Sequence, residues 1–441
     1  MYIEFNKNEV CSCGKIHKTD VENCIIESGA INCIPDYAKK YNATKAFIVA
    51  DVNTFPIAGE KIENMLESCS IPTAKYIYNQ KRLEPDEYAM GSLVMHFDAK
   101  CDLIIGIGTG VINDICKVFS YQTKIPYIIV ATAAYMDGFA TSSSTMLVNK
   151  IKTTLSAKSP EVIIGDLDIL TSAPKHMGAA GLGDMLAKYV SICEWRLSNL
   201  INGEYYCERV AEFTRQSRDN CVSKAELLIK QDKSSMKKLF EGLINCGKAM
   251  DYSGVSRPGG GDEHYFCQIL DMRGLEFGAP TASHGVQCAL GTLYAIKCYR
   301  ELKNIVPNRE KALKYVQNFD FDDWSGQLRK FVGKGAESMI ALEYKERKYD
   351  AEKHKKRFEI IAENWNEILK IIDEELPTVE EFENILKTVG LPTSAEEIGV
   401  DISIVPLIIK CTKDIRDKYV LPRLLWDLGV LDEVCETVCF F

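Results

Sequence analysis

Apolar and polar positions change their rhythm once along this chain. Up to about residue 170, apolar runs of strand length, at 45–50, 74–78, 102–107, 126–130 and 161–165, alternate with stretches of helical periodicity. Strands buried on both faces read as such runs, because crossover helices cover a parallel sheet on either side. Beyond Leu170 strand signals nearly vanish, and helical segments take over at 185–200, 205–230, 234–251, 286–302 and the charged stretch 351–373. The pattern predicts an α/β N-terminal domain with a mostly parallel sheet over 1–170 and an all-α C-terminal domain over 171–441. A cleft between the two is expected, and neither an internal repeat nor a low-complexity linker interrupts them.

Length and composition fit this picture. At 441 residues the chain exceeds one compact core, and 46% apolar with 26% charged residues is the balance of a globular protein. A net charge of -9 argues against nucleic-acid binding, and the absence of any run of 18 uncharged apolar residues argues against a membrane span. The opening MYIEFNKNEV does not read as a secretory leader, and the 17 cysteines are scattered rather than framed by regular spacings. Reduced thiols in a cytoplasmic protein are therefore expected.

The stretch CDLIIGIGTGVINDICK, 101–117, carries the most chemistry. A buried strand runs through Gly106, Gly108 and Gly110 into a helix, where glycines permit a sharp turn and a close approach, and the first helical amides point at an anion. The strand before it ends at Asp51, and the strand after it runs into Ala131, Thr132, Ala133, Ala134, Tyr135, Met136, Asp137 and Gly138. Small and polar residues thus collect at three strand ends, where open α/β sheets hold their ligands.

The helical half supplies a second group. His264 follows RPGGGDE, at a helix expected to begin near Asp262, His284 follows GAPTAS, and Asp184 sits in GLGDMLAK, read as a glycine-rich helix entry. One carboxylate and two imidazoles suit a catalytic divalent ion with an open position, although each has an alternative as a cap or a hydrogen-bonded turn residue. Near the amino terminus Cys11, Cys13 and His17 form C-x-C-x3-H; the first spacing is tight for zinc, and a turn around Gly14 is the favoured reading.

Taken in order, VADVNTF, GIGTGVINDICK, TAAYMDGFAT, PEVIIGDLDIL, GLGDMLAK, GGGDEH and SHGVQ resemble the sn-glycerol-1-phosphate dehydrogenases, within the superfamily of dehydroquinate synthase-like folds and iron-containing alcohol dehydrogenases. The resemblance runs from about Asp51 to about His284, and more faintly to IRDKYVLPRLLWDLGVL near the end. It implies a cytoplasmic homodimer that interconverts dihydroxyacetone phosphate and sn-glycerol 1-phosphate with NAD(P)H and one divalent ion (zinc, nickel or iron). By the same resemblance Asp51 meets the adenosine end of the cofactor. Gly108, Gly110, Val111, Ile112, Asn113 and Asp114 hold its pyrophosphate, and Thr132, Ala133, Ala134, Tyr135 and Thr141 border the nicotinamide half. Asp137 touches substrate, and Asp184, His264 and His284 are metal ligands, with Asp184 also near the substrate.

One departure stands out. Four residues after the first metal histidine, similar enzymes carry another histidine, whereas this chain has Gln268, which shares the His264 face of a helix but carries no titrating proton near neutral pH. Gln268 therefore bears on the substrate more than on the redox chemistry. Lys152 and Lys188 are candidates to meet a substrate phosphate, and a carboxylate at Asp51 favours NADH over its 2′-phosphorylated relative. The alternatives are a polyol dehydrogenase acting on an unphosphorylated substrate, a dehydroquinate synthase-like carbon-oxygen lyase, and a catalytically silent protein that binds nucleotide or sugar phosphate.

Overall fold

The computed structural model describes residues 5, 9–80, 83–149 and 151–440. Among these residues, eight strands lie in the first part: β1 (Asn23–Glu27), β2 (Ala46–Asp51), β3 (Thr73–Tyr78), β4 (Leu103–Gly108), β5 (Tyr127–Ala131), β6 (Ser143–Val148), β7 (Ile151–Ser156) and β8 (Val162–Asp166). Six form one sheet in the order β1-β8-β5-β4-β2-β3, every pair parallel, while β6 and β7 form an antiparallel hairpin. The five strands expected from apolar runs are present within two residues at each end. β1 and the hairpin were not expected. β1 is a half-exposed edge strand, and β6 begins Ser-Ser-Thr, so neither carries the unbroken apolar run of a central strand.

From β2 the chain crosses to β3 on one side and then returns to β4 on the other. The order of the sheet therefore reverses between β2 and β4, and Asp51 and Gly108 close the two strands that flank this point. Ile48, Ile105, Ile107, Ile128, Val130 and Ile164 share one fully buried core on one face of the sheet, which fixes those strand ends rigidly.

The helix α1 (Gly110–Thr123) follows β4 directly. After the sheet come α2 (Lys175–Leu186), α3 (Lys188–Asn202), α4 (Glu208–Val222), α5 (Lys233–Ser253), α6 (Asp262–Phe277) and α7 (His284–Glu301), then further helices to Leu431–Phe440. Among the described residues, no helix is long and apolar enough to cross a membrane.

Two compact units divide the chain differently from a cut at 170. The first holds Met1–Met185 and Glu212–Val255, the second Leu186–Ala211 and Ser256–Phe441. Strand content does end at Asp166, but the sheet keeps most of α2, the body of α4 and all of α5 in its own unit. The reason is packing: a Cβ at Gly165 at the end of β8 would strike the ring of Phe240 on α5. Periodicity registers the change from strand to helix but not which core a helix joins.

Candidate functional site

In the first unit, the turn from β4 into α1 forms a cradle whose glycines serve space rather than unusual dihedral angles. Gly106, Gly108 and Gly110 are not among the residues with positive φ. A Cβ at Gly106 would stand 2.8 Å from the Tyr127 hydroxyl, and one at Gly108 would stand 2.8 Å from Ile112 Cβ. At Gly110 the nearest atom is 3.6 Å away, on Met136, so this position alone faces room. The chain does turn between Gly108, the end of β4, and Gly110, the start of α1, but without a left-handed glycine. Thr109, Gly110 and Val111 are half-exposed, and their neighbouring first-turn amides have no acceptor within the helix, which suits a phosphate.

The polar side chains behind this cradle are committed to its frame. Asn113 donates from Nδ2 to Gly138 O at 3.1 Å and accepts at Oδ1 from the Tyr127 hydroxyl at 3.1 Å. Lys117, buried on α1, donates to Gly138 O, Thr141 Oγ1 and Ser143 O and pairs with Asp114 at 3.1 Å. Burial pushes the Asp114 carboxyl up, while Lys117 pulls it down. Thr132 N donates to Gly108 O at 3.1 Å, tying the end of β5 to the end of β4. Ala133 and Ala134 are buried, and Ala134 O lies against Gly181 of α2, where a Cβ would overlap it. Asn113, Asp114, Thr132, Ala133, Ala134 and Thr141 thus shape the loop; Lys117, which ties it together, carried no signal in the sequence beyond a lysine in a helix.

At the end of β2, Asp51 Oδ1 accepts from Asn53 N at 2.8 Å and Thr54 N at 2.9 Å, so this oxygen caps the turn. Asp184 is fully buried in the last turn of α2, not at a helix entry as its glycine-rich setting suggested. Its Oδ2 accepts from the backbone N–H of Asp137 at 2.9 Å. Gly181, one turn before it, lets α2 approach the loop after β5. Lys152 lies on β7, also in the first unit.

The second unit holds His264 and His284. His264 is in the first turn of α6 and His284 opens α7; their rings lie 5.1 Å apart, edge to face. Gly291 allows this, since a Cβ there would press on Glu263 O at 2.8 Å and Phe266 Cβ at 2.9 Å. His264 Nδ1 donates to Glu263 Oε1 at 3.0 Å, which leaves the lone pair on Nε2. Glu263 also accepts from Gly261 N at 2.6 Å, locking the glycine loop to the same carboxylate. His284 Nδ1 lies 3.2 Å from Cys267 Sγ, and Gln287 bridges Cys267 and Asp271. The donor atoms of His264, His284 and Cys288 all lie within 4.8 Å of one another, and two imidazoles beside a thiol suit a first-row divalent ion. Glu263, Cys267 and Cys288 were not foreseen: the motif GGGDEH displays the glutamate, but only the fold shows which ring nitrogen it holds.

Gln268 is half-exposed on α6, as is His264 one turn earlier, while the residues between them, Tyr265, Phe266 and Cys267, are buried. The shared face expected from the spacing is present. Lys188, buried in α3, donates from Nζ to Gly259 O at 2.7 Å, so its ammonium supports the glycine loop. Tyr135 and Asp137 lie in the loop after β5, with Asp137 largely buried.

Residues 25–174 match the family model described as iron-containing alcohol dehydrogenase. The chain is 31% identical over 296 residues to the glycerol-1-phosphate dehydrogenase [NAD(P)+] of Bacillus licheniformis, covering 66% of this chain and 74% of that one. It is 30% identical over 294 residues to the protein of the same name from Halalkalibacterium halodurans, again covering 66% and 74%. The chain belongs to the glycerol-1-phosphate dehydrogenase family. Among solved structures, glycerol dehydrogenase from Schizosaccharomyces pombe superposes with a TM-score of 0.61 at 17% identity, covering 99% of this chain and 93% of that one. At that identity the likeness speaks for a common fold, as does the TM-score of 0.59 with butanol dehydrogenase A of Thermotoga maritima at 15% identity. The stretch that carries the iron-containing alcohol dehydrogenase match takes in the strands β2 to β8 and the cradle of this glycerol-1-phosphate dehydrogenase family member.

Proposed function

We propose that this chain reduces dihydroxyacetone phosphate to sn-glycerol 1-phosphate with NAD(P)H, and runs the reverse oxidation. The observation that carries the reading is the identity of about 30% over two thirds of the chain to proteins bearing that activity in their names. The reaction adds a hydride, which bound NAD(P)H would supply, to the ketone carbon and a proton to its oxygen. The alkoxide character that develops there is unfavourable in water. A divalent metal held at the site would supply the Lewis acidity that stabilises it. Asp184, His264 and His284 are the proposed ligands, with zinc, nickel or iron as the ion.

The chain's own residues bind and orient. The amides at Gly110, Val111 and Ile112 would take the pyrophosphate, and Asp51 the adenosine ribose, which favours NADH. Glu263 keeps the His264 ring in one tautomer. Asp137 and Gln268 are the proposed substrate contacts, and Gln268 offers a hydrogen-bond donor and acceptor where a histidine would offer a charge. Lys152 is the candidate for the substrate phosphate; Lys188 stands behind it as a second, with part of its donor capacity already used on Gly259. A cytoplasmic homodimer completes the proposal.

The reverse reaction tests it. Oxidation of sn-glycerol 1-phosphate with appearance of NADH or NADPH, and none from the opposite enantiomer, supports the reading. Oxidation of glycerol alone supports the polyol dehydrogenase, and nucleotide binding without turnover on any of them supports the silent protein.

A further inference from the structure

A second cluster of metal-ligand type lies in the first unit, among residues the proposed reaction does not use. Val10 and Ile16 pair across a tight hairpin in which Cys11 N donates to Lys15 O at 2.9 Å and Gly14 N donates to Cys11 O at 2.8 Å. Gly14 adopts φ of 83°, the left-handed conformation in which a side chain is strained, so the expected turn around this glycine is present. The turn does more than reverse the chain. It directs both thiols and the His17 imidazole to one point, where their donor atoms lie within 4.8 Å of one another. Cys11 and His17 are buried, and neither cysteine is in a disulfide.

The imidazole is held as a ligand needs to be held. His17 Nδ1 donates to Tyr252 O at 2.6 Å, which fixes the tautomer and leaves the lone pair on Nε2. Nε2 stands 3.5 Å from Cys13 Sγ. With zinc–sulfur bonds of about 2.3 Å and zinc–nitrogen bonds of about 2.0–2.1 Å, two neighbouring corners of a tetrahedron lie roughly 3.5 Å apart. A thiol hydrogen bond to the ring accounts for this one distance but not for a second thiol brought to the same nitrogen.

We propose that Cys11, Cys13 and His17 bind a zinc ion that locks the amino-terminal hairpin, whose His17 is itself held on Tyr252 O at the end of α5. The hairpin already touches that end through Lys15 Nζ, which donates to Ser253 O at 2.9 Å, and Thr19 Oγ1, which donates to Asp251 Oδ2 at 3.1 Å. Asp251 in turn accepts from Ser142 N, Ser142 Oγ and Ser159 Oγ, and Gly247 one turn earlier lies against Asp137 O. A metal here would therefore brace the helix on which the Asp137 loop rests. It is a structural role, independent of the proposed reaction.

The test uses the full chain carrying His264→Ala and His284→Ala, so that zinc at the other proposed site does not enter the count. Purified with Zn2+ and dialysed, it retains one zinc per chain by elemental analysis, and adding Cys11→Ser, Cys13→Ser and His17→Ala brings the count to none. In the otherwise unaltered chain, Co2+ substitution produces sulfur-to-cobalt charge-transfer absorption of at least two thiolates, a readout that needs no substitution at the hairpin. No zinc retained in the first variant, an unchanged count in the second, or a cobalt spectrum without thiolate bands overturns the proposal.

Discussion

Asp184 Oδ2 accepts a hydrogen bond of 2.9 Å from the backbone N–H of Asp137, which joins two residues 47 positions apart in the sequence. One oxygen of a fully buried carboxylate thus positions the loop after β5. Replacing Asp184 with Ala strands that amide and costs about 1–3 kcal/mol. Asp184→Asn keeps an acceptor for Asp137 N but removes the charge. The expected outcome is a melting temperature close to the parent for Asn, a lower one for Ala, and loss of metal retention and turnover in both. Thermal unfolding with elemental analysis of each variant checks this; full activity in the Asn variant contradicts the ligand role.

The glycines of the cradle separate folding from binding. A methyl at Gly108 meets Ile112 Cβ at 2.8 Å, whereas a methyl at Gly110 finds its nearest neighbour at 3.6 Å. Gly108→Ala is expected to destabilise the protein by about 1–3 kcal/mol through overpacking. Gly110→Ala leaves stability unchanged but raises KM for the nicotinamide cofactor about tenfold, because the backbone can no longer approach the pyrophosphate. Denaturant unfolding and cofactor titration of the pair give the answer, and an unaltered KM at Gly110 removes the phosphate from this turn.

Glu263 holds His264 Nδ1 at 3.0 Å. Carboxylates that orient a ligating imidazole typically contribute 10–100-fold to metal affinity. Glu263→Gln, which can still accept from Gly261 N, is expected to weaken metal retention by about that factor. Competition against a chelator of known affinity measures it, and equal affinity would mean that the ring needs no such support.

Burial raises the Asp251 carboxyl above its ordinary value, more than the hydrogen bonds from Ser142, Ser159 and Thr19 lower it. The folded chain therefore holds a proton that the unfolded chain releases near pH 3.9, so this residue's contribution is present below that pH and fades as pH rises through the folded value. Asp251→Asn, neutral throughout, removes the slope. Melting temperature against pH from about 4 upward is expected to be flatter in the variant, the parent losing ground as pH rises; parallel curves contradict the sign.

Much of this architecture was legible in the chain. The central strands announce themselves because both faces are apolar, and His264 and Gln268 share a face because 3.6 residues make a turn. Other features depend on neighbours distant in sequence. Gly108 is a glycine because Ile112 folds back over it, and Gly181, in the helix that Asp184 closes, is a glycine because Ala134 O lies against it. Cys11, Cys13 and His17 looked too closely spaced for zinc, since nothing local reveals that Tyr252 O, 235 residues on, fixes the imidazole. Such relationships follow from tertiary packing, which periodicity does not encode.

The central claim is a dehydrogenase whose substrate carries a phosphate. Initial rates of NADH and NADPH oxidation by the metal-loaded protein, with dihydroxyacetone phosphate and dihydroxyacetone compared at equal concentration, test it most directly. The account predicts turnover with the phosphorylated ketone, formation of sn-glycerol 1-phosphate, and a rate at least about 100-fold lower without the phosphate, the discrimination expected when charged groups built for an anion are left unpaired. Equal rates on the two ketones, or none on either, would contradict it.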